Sequence, residues 1–150
     1  MSDLAGCFSH NTDHWKTPTE IYNFFMSEGY IDPCPFHADF NGLERFYKNQ
    51  KIYINPPYSQ IKLWVDYALK LLGGGGCKIV LLIPSRTETK YFHKLMEYNP
   101  KILFFKGRLH FNESKNSAPF PSCLIILEQG RTIKEYDSIT DVKELSERGC

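Results

Sequence analysis

A single apolar run, Lys78–Ile83, constrains the fold of this 150-residue chain more than any other feature. Its hydrophobic residues are nearly continuous rather than alternating, which is typical of a strand buried on both faces of a sheet. Hydrophobic residues recur at helical spacing over Ser59–Leu72, and a second helix is predicted over Thr87–Glu97. Strands and helices therefore alternate along the chain, which predicts a compact α/β sheet with helices on both faces.

Short apolar segments predict the remaining strands. They are expected at Tyr30–Asp32, Lys51–Ile54, Lys101–Phe105, Arg108–Phe111 and Cys123–Glu128. Because the last strands lie close together in the sequence, we expect them to pair as a C-terminal hairpin.

The two ends of the chain are predicted to differ from its middle. Residues 1–14 are polar and are expected to form a flexible arm. A first helix should begin near Pro18, with Thr17 as its N-cap and Glu20 three residues later. The catalytic or binding domain would then span residues 15–136, and residues 137–150 would form a polar tail or helix.

Composition excludes several classes of protein. Hydrophobic residues make up 42% and charged residues 23%, which excludes wholesale disorder. The longest apolar stretch, Ile79–Pro84, is too short to cross a bilayer, so we expect no membrane partner. The five cysteines include no CxxC pair and no signal peptide is evident, so reduced thiols and a cytoplasmic location are expected.

The residues that carry chemistry are Asn55-Pro56-Pro57-Tyr58, directly after a predicted strand. Two prolines in series form a stiff loop that offers carbonyl oxygens, and Asn55 and Tyr58 add a side-chain acceptor and an aromatic face. Such a loop suits a planar exocyclic amine, because accepting both N–H protons frees the nitrogen lone pair for attack. The same four residues could instead form an ordinary strand-end turn. Their place at the carboxyl end of a strand favours a functional site.

These residues match the (N/D)PP(Y/F) motif of S-adenosylmethionine-dependent amino-methyltransferases. The chain resembles, in particular, the compact phage-type DNA N6-adenine methyltransferases over roughly residues 14 to 128. The further segments that carry the resemblance are Trp15-Lys16-Thr17-Pro18, Ile31-Asp32-Pro33-Cys34, Ile83-Pro84-Ser85-Arg86-Thr87 with Tyr91-Phe92-His93, Gly107-Arg108-Leu109-His110-Phe111, and Pro119-Phe120-Pro121-Ser122.

The resemblance implies a Rossmann-like methyltransferase fold and transfer of a methyl group from S-adenosylmethionine to N6 of adenine in DNA. The target base would be flipped out of the duplex, as chemistry on a buried atom requires. Asn55 and the Pro56 carbonyl would accept the two N6 protons, and Tyr58 would stack on the base. The residues implied near the cofactor are Trp15, Thr17, Pro18, Asp32, Cys34 and Asn55.

Asp32 and Trp15 also have plain structural interpretations. An acidic residue at a strand end suits ribose hydroxyls or the ammonium of a methionine moiety, whereas Asp-Pro is also common in turns. Trp15 could equally be a core anchor.

One departure from the resemblance concerns the cofactor. Pro33-Cys34-Pro35-Phe36-His37 stands where many amino-methyltransferases carry a glycine-rich loop, and Gly73–Gly76 follows a helix instead. A nucleic-acid-binding module without cofactor therefore remains an alternative, as does a methyltransferase acting on RNA or on a protein glutamine. Asp39 and Glu44 are further candidates for contact with a ribose.

Basic residues concentrate in one part of the chain. Between Arg86 and Lys115 there are seven basic residues against three acidic ones, although the formal net charge of the chain is only +1. This polarity predicts one DNA-facing side, and the residues proposed for it are Arg86, Lys90, Arg108, Phe111 and Lys115. An ordinary charged surface is the alternative. Little of the chain is left for target recognition, so a homodimer or a specificity subunit could contribute.

No metal is expected. Cys7, His10, His14, Cys34 and His37 could in principle bind zinc, but their spacing lacks the paired pattern of zinc sites.

Overall fold

The fold is a mixed α/β sheet, seen in a computed structural model that describes residues 14–111 and 118–150. The helices and strands of this part are α1 (Thr19–Ser27), β1 (Lys51–Ile54), α2 (Ile61–Gly73), β2 (Lys78–Pro84), α3 (Lys90–Met96), β3 (Lys101–Phe105), β4 (Ser122–Leu127) and β5 (Glu135–Ile139). None of the helices in this part is long and apolar enough to cross a membrane.

The sheet order is β1-β2-β4-β3-β5, with β4 antiparallel to both of its neighbours. Because β1 pairs parallel with β2, and β3 with β5, these four strands all end at the same edge of the sheet. Ile31 adds an isolated parallel bridge to Ile52, so the predicted strand over Tyr30–Asp32 is reduced to this one bridge. Asp32 and Asn55 therefore leave the sheet at the same edge.

Alternate residues of the central strands pack into two cores. Ile79, Leu81 and Ile83 of β2 lie in a cluster with buried residues of α2 and α3. Val80 and Leu82 lie in the other cluster, which includes buried residues of α1. The predicted burial of β2 on both faces is therefore confirmed.

One predicted strand is wrong. Arg108–Phe111 is not a strand, because Gly107 (φ 78°) turns the chain after β3 and Phe111 packs into the core. Residues 137–150, expected to form a polar tail or helix, contain the end of β5 and a short 3-10 turn at Val142–Glu144. The buried Ile139 and Leu145 hold the C-terminal residues on the core. The hairpin expectation holds in part, since β3 and β4 pair antiparallel across a long connection.

Cys34 corrects another expectation. It is disulfide-bonded, whereas Cys77, Cys123 and Cys150 are free thiols. The prediction of reduced thiols is therefore wrong for Cys34, because a bridge depends on proximity in space and not on spacing in the sequence.

Gly42 fixes the loop that follows Asp32. A Cβ atom built on Gly42 would overlap the carbonyl of Pro33 and lie 3.0 Å from the Trp64 ring. We therefore expect Gly42→Ala to lower the free energy of unfolding by about 2 kcal/mol, because the loop must move away from Pro33. Gly73→Ala is the matched control, since it meets nothing within 4 Å at the end of α2. Urea denaturation of both variants measures the difference, and equal stability would contradict this account.

Candidate active site

Asn55 lies at the end of β1 and is held by the segment before α1. Its side-chain Nδ2 donates to the main-chain oxygen of Trp15 at 2.5 Å and to Thr17 Oγ1 at 3.0 Å. Its main-chain oxygen accepts from His14 Nε2 at 3.1 Å. Both amide hydrogens are therefore used, and in the described part of the chain no residue donates to Asn55 Oδ1.

Pro56 and Tyr58 complete the predicted catalytic loop. Pro56 is buried, and within residues 14–111 and 118–150 no donor reaches its carbonyl oxygen. Tyr58 is half-buried and begins a short 3-10 turn that leads into α2. Within the described residues the loop thus carries two acceptors with no donor, Asn55 Oδ1 and the Pro56 carbonyl, followed by the Tyr58 ring.

Four aromatic rings surround the face of this loop. Trp15 stacks on Tyr58 with ring centroids 6.1 Å apart and planes 23° from parallel. Phe120 meets Tyr58 edge-on at 4.8 Å, and Phe111 meets Trp15 edge-on at 6.0 Å. These four rings (Trp15, Tyr58, Phe111 and Phe120) form an aromatic cluster in which Phe111 is buried and Tyr58 is half-buried.

A cavity of about 340 Å³ opens beside Asn55. Four residues singled out by the sequence line it: Thr17, Asp32, Cys34 and Asn55. The sequence analysis gives no role to Thr19, Tyr22 and Asn23, which also line the cavity, and it did not place His14, Lys16 and Phe36 near the cofactor. Tyr22 and Asn23 lie on α1, and their spacing carries no signal beyond that of an ordinary helix.

Two charged residues, Lys16 and Asp32, line this cavity, and Asp32 has the strongly shifted pKa. Asp32 is largely buried, and burial raises the pKa of its carboxyl to about 7, although its hydrogen bond from the Cys34 N–H acts in the opposite direction. Desolvation outweighs that hydrogen bond, so a ligand that pairs with the carboxylate would offset the cost of its burial. Positively charged or hydroxyl-bearing ligands would therefore be favoured there.

Two predicted cofactor residues, Trp15 and Pro18, do not line this cavity, and Thr17 lines it without capping α1. Trp15 does not line the cavity and stacks on Tyr58 instead. Pro18 is the N-cap of α1 and lines a second cavity that lies between α1 and the end of β3. Thr17 is not the helix cap, because its hydroxyl bonds to Asn55 and to Tyr53.

The predicted DNA-binding residues fall into different settings. Arg86 follows β2 and is paired with Glu88 through Nε at 2.9 Å, while Lys90 is exposed at the start of α3. Arg108 is exposed just beyond β3, at the same edge of the sheet as Asn55. Phe111 is only 3% exposed, so the predicted contact with a nucleotide is wrong for the observed arrangement. Lys115 lies outside the described residues.

The other candidates are placed as follows. Asp39 and Glu44 are exposed and do not line the cavity beside Asn55. Among the residues that the structure describes, no three metal-ligating side chains come together. Cys7 and His10 lie outside that part of the chain.

Residues 7–149 match the family model described as DNA N-6-adenine-methyltransferase (Dam). The match spans almost the whole chain and includes every candidate residue named above. No curated protein matches the chain.

Proposed function

Since this chain belongs to the DNA N-6-adenine-methyltransferase (Dam) family and is a DNA adenine-N6 methyltransferase, we propose a specific site for the reaction. In this proposal, S-adenosylmethionine occupies the cavity next to Asp32. The target adenine is flipped out of the duplex onto the loop of Asn55, Pro56 and Tyr58. The sheet is then a compact Rossmann-like methyltransferase fold with helices on both faces.

The observation that carries this proposal is the orientation of Asn55. Its two N–H groups are bound to Trp15 and Thr17, so Oδ1 is left to accept from an incoming amine. The Pro56 carbonyl is a second acceptor, and Pro56 lies two residues beyond the end of β1. An exocyclic amine has two N–H protons, and two fixed acceptors draw its lone pair out of conjugation with the ring.

The cavity fits S-adenosylmethionine by volume and charge. Its 340 Å³ lie within the range of small-molecule sites, and the desolvated Asp32 carboxylate suits a cationic ligand. Tyr22 and Phe36 add aromatic surface to the lining. When bound, the cofactor supplies an electrophilic methyl group. The residues of this chain would hold it and orient the amine, and the amine proton would leave to solvent.

Base stacking would fall to Tyr58, the half-buried ring of the catalytic loop. Tyr58 follows Asn55 in the same loop, so its ring can support a base whose amine faces Oδ1. Aromatic stacking contributes about 1–3 kcal/mol per base in nucleic-acid complexes, which offsets much of the cost of unstacking.

Methylation of DNA with labelled S-adenosylmethionine tests the proposed function. The purified protein should transfer label to DNA, and digestion followed by mass detection should identify N6-methyladenine. Calorimetry should show S-adenosylmethionine binding in the absence of DNA. Label on RNA or on protein glutamine alone would favour the other substrates. A protein that binds DNA without binding S-adenosylmethionine would be a module that has lost catalysis.

DNA contact is expected at the edge where the parallel strands end. Arg108 is exposed there and makes no ion pair within the described residues, whereas Arg86 is already paired with Glu88. A plot of log affinity against log salt concentration has a negative slope, and loss of one phosphate contact makes that slope less steep by about 1. We therefore expect Arg108→Ala to reduce the steepness of the slope by about 1 and Arg86→Ala to reduce it by less. Fluorescence anisotropy over a salt series measures both slopes, and an unchanged slope for Arg108→Ala would contradict the assignment.

The preference for a particular DNA sequence would come from residues at this same edge or from a second subunit.

A further inference from the structure

The residues just before α1 make contact with the catalytic loop at several atoms. The His14 ring binds the main-chain oxygen of Asn55. The Asn55 side-chain amide donates to the main-chain oxygen of Trp15 and to the hydroxyl of Thr17. The sequence resemblance places Thr17 near the cofactor. The contacts indicate a different role for Thr17, directed at Asn55.

An asparagine carboxamide has two ends of similar size and opposite hydrogen bonding. If it rotated by half a turn, Nδ2 would face the substrate amine, and two donors would oppose each other. Oδ1 would then face the Trp15 carbonyl, where two acceptors would oppose each other. Catalysis by Asn55 therefore depends on what holds its orientation.

Thr17 is itself held in place by the core. Its Oγ1 lies 3.0 Å from the hydroxyl of Tyr53, and Thr17 is 7% exposed. Tyr53 is fully buried on β1, and its ring stacks on Phe25 of α1 at 4.5 Å between centroids. A threonine hydroxyl can accept from Asn55 and still share a hydrogen bond with Tyr53. The Tyr53–Thr17–Asn55 chain thus connects the packed core to the reacting group.

We propose that Thr17, anchored by Tyr53, is a positioning residue that keeps Asn55 Oδ1 turned toward the substrate amine. The inference rests on the proposed function, because it assumes that Asn55 accepts from that amine. Thr17 acts here through Asn55 and need not touch the base. Its contribution appears in the rate of methyl transfer more than in the binding of the cofactor.

Thr17→Val and Thr17→Ser separate this role from a cofactor contact. Valine has the same shape without the acceptor, and serine keeps the hydroxyl. We expect Thr17→Val to lower kcat by about 10- to 100-fold, since a misplaced group costs rates of this order. Thr17 lines the proposed cofactor cavity, so the Kd for S-adenosylmethionine is measured as well, and it should change much less than kcat. Thr17→Ser should restore most of kcat. An unchanged kcat, or a loss explained by a weaker cofactor Kd, would overturn the proposal.

Tyr53→Phe tests the second member of the chain. Tyr53→Phe should also lower kcat, but by less than Thr17→Val does, because Thr17 keeps its bond to Asn55. Tyr67→Phe is the matched control, since Tyr67 is also buried and its hydroxyl donates to the Arg45 carbonyl at 2.8 Å. Its kcat should equal that of the parent protein. Circular dichroism of each variant confirms that it is folded.

The outcomes distinguish two kinds of failure. If Asn55→Ala is inactive while Thr17→Val and Tyr53→Phe keep the parent kcat, then the positioning role is wrong and the proposed function stands. If Asn55→Ala keeps full activity, the proposed function itself is wrong.

Discussion

Asn55→Ala is expected to lower the rate of methyl transfer to DNA by about 1000-fold, as loss of one preorganised group does in other enzymes. The variant removes the side-chain acceptor and leaves the Pro56 carbonyl as the remaining acceptor of the loop. Because Asn55 forms only part of the cavity lining, S-adenosylmethionine should still bind. Single-turnover methylation with saturating cofactor measures the chemical step alone.

Asn55→Asp serves as the control for Asn55→Ala. A carboxylate keeps an acceptor for the amine, although it loses the two donated bonds to Trp15 and Thr17. We therefore expect Asn55→Asp to lie between the parent and Asn55→Ala in rate. Equal rates for Asn55→Ala and the parent would show that the acceptor is not used.

Asp32→Asn is expected to weaken the binding of S-adenosylmethionine and to raise the stability of the free protein. The variant keeps the acceptor for the Cys34 N–H but lacks the negative charge. Calorimetry should show loss of S-adenosylmethionine binding by at least about 100-fold, as expected for a buried charge that pairs with a ligand cation. The free variant should nevertheless be more stable than the parent at pH 8.

The sign of the pH dependence follows from the raised pKa of Asp32. Its pKa is about 7 in the folded protein and near 4 in the unfolded chain, so folding favours the protonated form. The resulting destabilisation is absent below pH 4, grows between pH 4 and pH 7, and is complete above pH 7. At pH 8, Asp32→Asn should therefore gain on the order of 2–4 kcal/mol, and at pH 5 less.

Binding should follow the same titration. Below pH 7 the carboxyl must lose its proton before it can pair with a cationic ligand, so affinity should fall by up to about tenfold per pH unit. Proton release on binding can be measured from the dependence of the calorimetric enthalpy on the buffer. Asp39→Asn is the control, because Asp39 is exposed outside the cavity. A parent protein whose affinity is constant from pH 5.5 to pH 8 would contradict a role for the Asp32 charge.

Much of the sheet could be predicted from hydrophobic pattern. The central strands β2 and β4 are buried on both faces, so their sequences are strongly apolar. Strand β5 was missed because it lies at the edge of the sheet, where only Ile139 is buried and the other residues are polar or exposed. The order of the strands was not predictable, because it depends on contacts that are distant in the sequence.

The motif of Asn55, Pro56 and Tyr58 could be found in the sequence, whereas the contacts that hold it could not. The structure places this motif directly after β1, and its catalytic role stays a prediction. Thr17 has the features of a helix cap in the sequence, since Pro18 and Glu20 follow it. Only the fold reveals that its hydroxyl reaches Tyr53 and Asn55.

The antiparallel direction of β4 has a consequence for Asn55. Because β4 enters the sheet at the edge where the other strands end, the connection from Phe105 to Ser122 leaves and returns beside the active site. Its two described ends are tied together by the Ala118 N–H bond to the Leu109 carbonyl, at 2.7 Å. The connection also carries Phe111 and Phe120, whose rings both contact Trp15. Because the Trp15 carbonyl accepts from Asn55, a change in the packing of this connection would reach Asn55 through one intervening residue.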